Sequence, residues 1–212
     1  MTSLDQIVEF NRQQKNSETD TFTERRYRQF ARRIAPSAKK VLDVGCNTGR
    51  GGAVLKSLRP DLELVGLDCV PERVTALDPL VYASSVCSFS QSIELPSANV
   101  DAIVAGEFIE HVPPDLVAPT LFEFFRVLKL RGRLLLTTPN PGYLKNLVKD
   151  ESVLSAPSHV SQHHPKSLAR RLEDVGFSRI RIRGSGRVSS VLGEFFPVFS
   201  VYGSYLVDAT KW

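Results

Sequence analysis

A chain of 212 residues with 42% hydrophobic and 24% charged residues has the size and make-up of one globular domain with a full core. Its net charge of +4 allows an attraction to phosphate without specifying one. No apolar run approaches the roughly 20 residues of a membrane span, and the opening Met1-Thr2-Ser3-Leu4-Asp5-Gln6 has no secretion pattern, while Cys46, Cys69 and Cys87 are too few and too scattered for a disulfide framework or a zinc knuckle, so a cytoplasmic setting is expected.

Residues 4–15 and 21–34 have helical spacing. In the second segment Phe22, Tyr27, Phe30 and Ile34 form one apolar stripe, and Pro36 stops the helix. Residues 1–36 are expected to cap the rest of a single domain spanning 1–212. The cationic run Arg25, Arg26, Arg28, Arg32, Arg33, Lys39 and Lys40 reads as a solvated helix face or as a phosphate-attracting surface. From Val41 strands and helices alternate. Strands are expected near 41–44, 62–67, 80–83, 100–105 and 132–138, and helices near 49–58, 71–77 and 115–128. Apolar strands alternating with helices argue a doubly wound, parallel α/β sheet. A further helix over 165–175 ends at Gly176, followed by strands at 178–183 and 204–209. Between those strands, Phe195, Phe196, Phe199 and Tyr202 either line a pocket or cover the sheet edge.

The stretch Val41-Leu42-Asp43-Val44-Gly45-Cys46-Asn47-Thr48-Gly49-Arg50 places a glycine turn between the first strand and its helix. Such a turn makes a nucleotide crevice at a strand's carboxyl end. Asp68 closes the second strand 19 residues after Gly49, an interval suited to accepting from ribose hydroxyls. The pattern is not the dinucleotide fingerprint, because Asn47 stands where its middle glycine would be.

Here the chain resembles the class I S-adenosylmethionine-dependent methyltransferases. The resemblance runs to about residue 182 through Asp68, Ile93-Glu94-Leu95-Pro96, Val100 to Val104, Glu110-His111-Val112 and Arg131 to Asn140. It implies a mostly parallel seven-stranded sheet ending in an antiparallel hairpin, with S-adenosylmethionine as cofactor. It also implies that Asp43, Gly45, Asn47 and Gly49 hold the cofactor's amino-acid end, with Glu107 nearby. Asp68 would take the ribose and Cys69 would flank the adenine. Gln91 and Ser92 stand where the family often has an acid facing the adenine amine; a Gln carbonyl can still accept there. Asn47 departs from the family's glycine, but Asn tolerates left-handed backbone.

Methyl transfer to a hydroxyl needs alignment and removal of a proton. If a helical turn starts at Glu107, its spacing puts Glu107, Glu110 and His111 on one face. In form, the segment Glu107 to His111 resembles two methyltransferase groups. One acts in the ubiquinone pathway; the other methylates the 3′-terminal ribose of small RNAs, where such a constellation with a later His holds a metal. His159 fits that later position best, with His163 and His164 as extras. The candidate catalytic residues are therefore His111, Glu107 and His159, and the candidate divalent-metal ligands are Glu107, Glu110, His111 and His159. The expected activity is O-methylation of a small-molecule or sugar hydroxyl. The alternatives are RNA ribose methylation and an inactive cofactor-binding partner protein.

Overall fold

The computed structural model describes residues 4–13, 20–156 and 158–212. In chain order the elements are α1 (Leu4–Gln13), α2 (Thr23–Ala31), β1 (Lys40–Val44), α3 (Arg50–Leu58), β2 (Glu63–Asp68), α4 (Pro71–Thr75), β3 (Ser84–Cys87) and β4 (Val100–Gly106). There follow α5 (Val117–Val127), β5 (Leu128–Pro139), α6 (Leu144–Val148), α7 (Pro165–Val175), β6 (Phe177–Ser185), α8 (Ser189–Leu192) and β7 (Ser204–Lys211). The sheet has seven strands in the order β3-β2-β1-β4-β5-β7-β6. β1 to β5 pair in parallel, while β7 runs antiparallel between β5 and β6.

Successive side chains of a strand point to opposite faces, so the central strands feed two cores. On one face Leu42, Val65, Ile103 and Leu134 meet Leu121 and Phe124 of α5 and Leu168 and Leu172 of α7. On the other, Val41, Leu64, Val104 and Leu135 meet Tyr27 and Phe30 of α2 and Leu55 of α3. The chain order reverses at β1 and β4, which leaves a crevice at their carboxyl ends, the ligand position in a doubly wound sheet.

The boundaries differ from expectation in instructive places. The strand expected at 80–83 lies at Ser84–Cys87 instead. Tyr82 is buried before the strand begins, its ring filling the second core and its hydroxyl reaching Asp43. The apolar run therefore marks a core plug, and the edge strand itself is polar. β5 begins at Leu128 with no loop after α5, and α2 stops at Ala31, three residues short of Ile34, which is nonetheless buried. Residues 14 and 15 of the first expected helix lie outside the described residues. No helix among the described residues is long and apolar enough to cross a membrane.

Candidate active site

The turn after β1 is built on left-handed backbone: Gly45, Asn47 and Gly49 have φ of 67°, 49° and 83°. A Cβ on Gly45 would lie 2.7 Å from the Phe108 ring, so glycine is needed there for space as well as angle. Asn47 carries the strain that Asn tolerates. Asp68 locks the turn to β2: its Oδ2 accepts from the Asn47 amide at 3.0 Å and its Oδ1 from the Val70 amide at 3.0 Å. Arg73 Nη1 stands 3.7 Å from the same carboxylate. Burial raises the Asp68 pKa above the usual carboxylate value, with Arg73 and the amides opposing.

A cavity of about 680 Å³ opens over this turn. Gly45, Asn47, Asp68, Cys69 and Gln91 line its turn end, and Glu107, Glu110, His111 and His159 line it further along. Three residues expected at the cofactor do not line it. Asp43 lies beneath, fully buried, with Tyr27 donating to Oδ1 and Tyr82 to Oδ2, both at 2.6 Å. Gly49 caps α3, with Tyr82 and Leu77 packed close to where its Cβ would sit. Ser92 turns its amide back to the Phe89 carbonyl.

The reaction end differs from the single helical face expected at 107–111. Glu107 takes a left-handed φ of 52°, and only Ile109–His111 form a 3-10 turn. Glu110, His111 and His159 converge, their potential ligand atoms all within 4.8 Å of one another, and Glu107 is not part of that group. Segment 158–161 is fastened to the turn, since the Val160 and Ser161 amides donate to the Glu110 carbonyl at 2.9 and 3.1 Å. His111 Nδ1 donates to Ser158 O and His159 Nδ1 to Val153 O, each at 2.8 Å. A carbonyl only accepts, so Nδ1 carries the proton in both rings. Burial depresses the His111 pKa to about 4, outweighing the Ser158 hydrogen bond, and the imidazole is neutral at ordinary pH.

Glu110 is buried; its Oε2 accepts from Thr138 Oγ1 at 3.0 Å, and its Oε1 has no hydrogen-bond partner among the described residues. Burial, then the charge of Glu107, pushes its pKa well above the carboxylate range. Glu107 Oε2 accepts from Ser204 Oγ at 3.2 Å; its buried Oε1 has no hydrogen-bond partner among the described residues and lies 3.7 Å from Arg26 Nε. His163 is a packing residue, its Nε2 held by Ser161 Oγ at 2.8 Å. His164 stands at the N-cap of α7, and Asn140 clamps the Phe199 and Tyr202 carbonyls.

Sequence reasoning missed Arg26. Counted in the basic run, it is buried, paired with Asp20 at 2.8 Å, and lines the cavity. Its position was a signal: it lies four residues from both Phe22 and Phe30, on the apolar stripe. Arg28 pairs with Glu24, Arg33 with Glu194, Lys39 with Asp61 and Lys40 with Glu63, so with Arg26 five of those seven cations already have a carboxylate partner. Phe195, Phe196, Phe199 and Tyr202 do not line the cavity; Tyr202 is buried in packing and Phe195 stands out in solvent.

The methyltransferase-domain family matches residues 19–181. The chain is 30% identical over 182 residues to the human mitochondrial ubiquinone biosynthesis O-methyltransferase, covering 77% of this chain and 45% of that protein. It is 29% identical over 143 residues to a malonyl-[acyl-carrier protein] O-methyltransferase of Laribacter hongkongensis, covering 61% and 46%. It thus spans about half the length of the curated relatives it matches. A crystal structure of a SAM-dependent methyltransferase from Archaeoglobus fulgidus shares the fold with a TM-score of 0.68 at 22% identity, covering 89% of this chain and 92% of that one. The chain belongs to the methyltransferase-domain family, the class I S-adenosylmethionine-dependent methyltransferases.

Proposed function

We propose that this chain is an S-adenosylmethionine-dependent O-methyltransferase acting on a hydroxyl of a small molecule or sugar. One observation carries the reading: a single cavity joins the glycine turn and Asp68 to the Glu110, His111 and His159 cluster. The residues present suit the cofactor. Asp68 keeps lone pairs beyond its two amide contacts for ribose hydroxyls, and Cys69 and Gln91 flank the adenine position. Glu107 lines the cavity and its buried Oε1 has no hydrogen-bond donor among the described residues, so its carboxylate is the complement of an ammonium group, and Arg26 beside it complements a carboxylate. When bound, S-adenosylmethionine supplies an electrophilic methyl group on its sulfonium. The chain's part is to align the acceptor and remove its proton.

His111 and His159 stand together at this end of the cavity, each with Nδ1 tied to a backbone carbonyl, and are the candidate groups to receive an acceptor hydroxyl's proton. A base as weak as His111 takes an alcohol proton poorly on its own. That favours a second form of the reading, in which Glu110, His111 and His159 hold a divalent cation that acidifies the hydroxyl. The unpartnered Glu110 Oε1 and the 4.8 Å spread of ligand atoms support it. The pairing of Arg26 and Arg28 on α2, and of Arg33 just after it, weighs against an RNA track there.

The test is a panel of phenols and sugars with methyl-labelled cofactor, before and after chelation and with added Mg²⁺ or Zn²⁺. Label in an ether product is expected, with loss of turnover on chelation and in His159→Ala. Full turnover after chelation, with no metal in the pure protein, refutes the metal form. Cofactor binding without transfer to any acceptor supports the inactive-partner alternative instead.

A further inference from the structure

At the amino end of β5, opposite the crevice, lies a second cavity of about 290 Å³, lined by Arg131, Arg133, Arg179, Arg181, Thr210 and Trp212. Strand register assembles it. Arg133 stands opposite Thr210 and Arg181 opposite Asp208, so these side chains share the sheet face of Leu135 and Leu206. Arg133 forks onto the buried Asp208 carboxylate through Nε and Nη2. Arg179 and Arg131 lie over the Trp212 ring, their Cζ atoms 3.9 and 5.5 Å from its centroid. Both take left-handed backbone, with φ of 51° and 65°, a conformation Arg rarely adopts. None of Arg131, Arg179 and Arg181 has an ion pair among the described residues. Four guanidiniums against the one carboxylate of Asp208 therefore leave three positive charges at the cavity. The charged neighbours are engaged or lie elsewhere. Lys129 pairs with Asp101 and Arg33 with Glu194, Lys211 donates to the Phe125 and Leu128 carbonyls, and Arg183 lies over the Phe195 ring. Helix α7, with Glu173 and Asp174 near its end, packs on the other face of the sheet.

Charged residues on an edge strand discourage pairing with another chain. That accounts for Arg179 and Arg181 of β6, but Arg131 and Arg133 belong to β5, two strands inside the edge. A guanidinium lying over an indole keeps its in-plane N–H fork for an oxyanion, and phosphate takes such forks bidentately. A phosphoryl group carries about −1.5 to −2 near pH 7, where a carboxylate carries a single charge, so phosphate better suits three unpaired guanidiniums. A polymeric anion would need cations in continuation, and the neighbouring ones are engaged. We propose that this cavity binds the phosphate or diphosphate group of a small soluble molecule, at a site separate from the methyltransferase crevice. β5 runs from this cavity toward the crevice at its carboxyl end, so the anion and S-adenosylmethionine do not compete.

Binding is the readout, so the test does not require turnover. The full chain is titrated with inorganic phosphate, inorganic pyrophosphate and acetate, by calorimetry and by tryptophan emission, with and without saturating S-adenosylhomocysteine. Trp212 is the single tryptophan of the chain, so its emission reports this cavity. Saturable binding of pyrophosphate is expected, tighter than that of acetate, with one emission midpoint whether or not the crevice is filled. Arg179→Gln/Arg181→Gln, altered at two exposed positions, is expected to weaken the pyrophosphate Kd by about ten-fold or more, as the loss of charged hydrogen bonds implies. Arg131→Gln is expected to weaken it from a different strand, which guards against a double variant that misfolds. Arg32→Gln/Lys166→Gln removes the same charge at exposed positions elsewhere and is expected to change the Kd by about two-fold at most, because salt screens distant charges. The proposal is overturned by heat without a change in Trp212 emission, by an affinity that both arginine variants keep, by an equal loss in the Arg32→Gln/Lys166→Gln protein, or by a midpoint that shifts with S-adenosylhomocysteine. Two further outcomes also overturn it. An oligouridylate bound more tightly than pyrophosphate through Arg179 and Arg181 assigns the cluster to nucleic acid. Pelleting with phosphatidylserine vesicles that the double variant abolishes assigns it to a membrane surface.

Discussion

Replacing Asp43 by Asn should stabilise the protein at pH 8 and do nothing at pH 4. Asp43 is fully buried, and the phenolic groups of Tyr27 and Tyr82 supply its two hydrogen bonds. Cys46 and Asp68 are the other titratable groups that feel it. Burial raises its pKa from 3.8 to about 6, with the tyrosines opposing and Asp68 adding to the rise. Because the folded pKa exceeds the unfolded one, the folded state binds the proton more tightly. That contribution is fully present below pH 3.8 and is lost as pH rises through about 6. Above both values the ionised group costs the fold about 6 − 3.8 ≈ 2.2 pKa units, or about 3 kcal/mol at 1.36 kcal/mol per unit. Asn carries no charge, accepts from one tyrosine through its carbonyl and can donate to the other hydroxyl. Asp43→Asn is therefore expected to gain up to about 3 kcal/mol at pH 8, a rise of up to about 6–12 °C in Tm for a chain of this size. The assay is thermal and urea unfolding of both proteins between pH 4 and 8.5. A variant less stable than the parent at pH 8, or a difference that does not shrink toward pH 4, refutes the assignment of Asp43 as a buried and strained carboxylate.

The same clamp predicts the opposite effect from its other side. A Cβ at Gly51 would lie 2.1 Å from Tyr27 Cζ, so Gly51→Ala must push the tyrosine off Asp43. Overpacking and a lost buried hydrogen bond cost about 2–4 kcal/mol after the gain of about 1 kcal/mol in helix propensity, measurable as a lowered urea midpoint; an unchanged or raised midpoint counts against the clamp. Glu107→Gln removes the charge from the carboxylate that the proposed cofactor pose sets against an ammonium group. A charged hydrogen bond of about 1.5–3 kcal/mol implies a 10- to 100-fold weaker Kd for S-adenosylhomocysteine by calorimetry, and an unchanged Kd would remove Glu107 from the cofactor site.

How much of this was legible in the chain depends on whether the signal was local. The order of strands, the turn at Gly45 to Gly49 and the alignment of Asp68 with it follow from neighbouring residues and from strand periodicity, and the structure keeps that order and that turn, with the third strand four residues later than expected. Asn47 reads correctly because left-handed tolerance is a property of the residue itself. Asp43 reads only halfway: its place at the end of β1 is local, but the tyrosines that cover it come from α2 and from the turn before β3, so its distance from the cavity could not be seen. The same holds for Tyr82, whose apolar neighbours imitate a strand while the ring serves a core from another element.

The reaction end shows the limit most clearly, because there the local reading rested on one conditional, a helix beginning at Glu107. The left-handed backbone at Glu107 breaks that helix and separates two carboxylates that the spacing had put on one face. Glu107 is turned toward Arg26 and Ser204, while Glu110 stays with His111 and meets His159 from a segment nearly fifty residues on. Strain of this kind costs about 1–3 kcal/mol and persists only where surrounding contacts over-determine it. Here the Glu107 amide donates to the Thr137 carbonyl at 3.0 Å and the Thr137 hydroxyl at 3.1 Å. A single φ thus sends the Glu107 side chain away from the group of Glu110, His111 and His159, although its charge still reaches Glu110; the proposed reading gives Glu107 the ammonium and that group the proton.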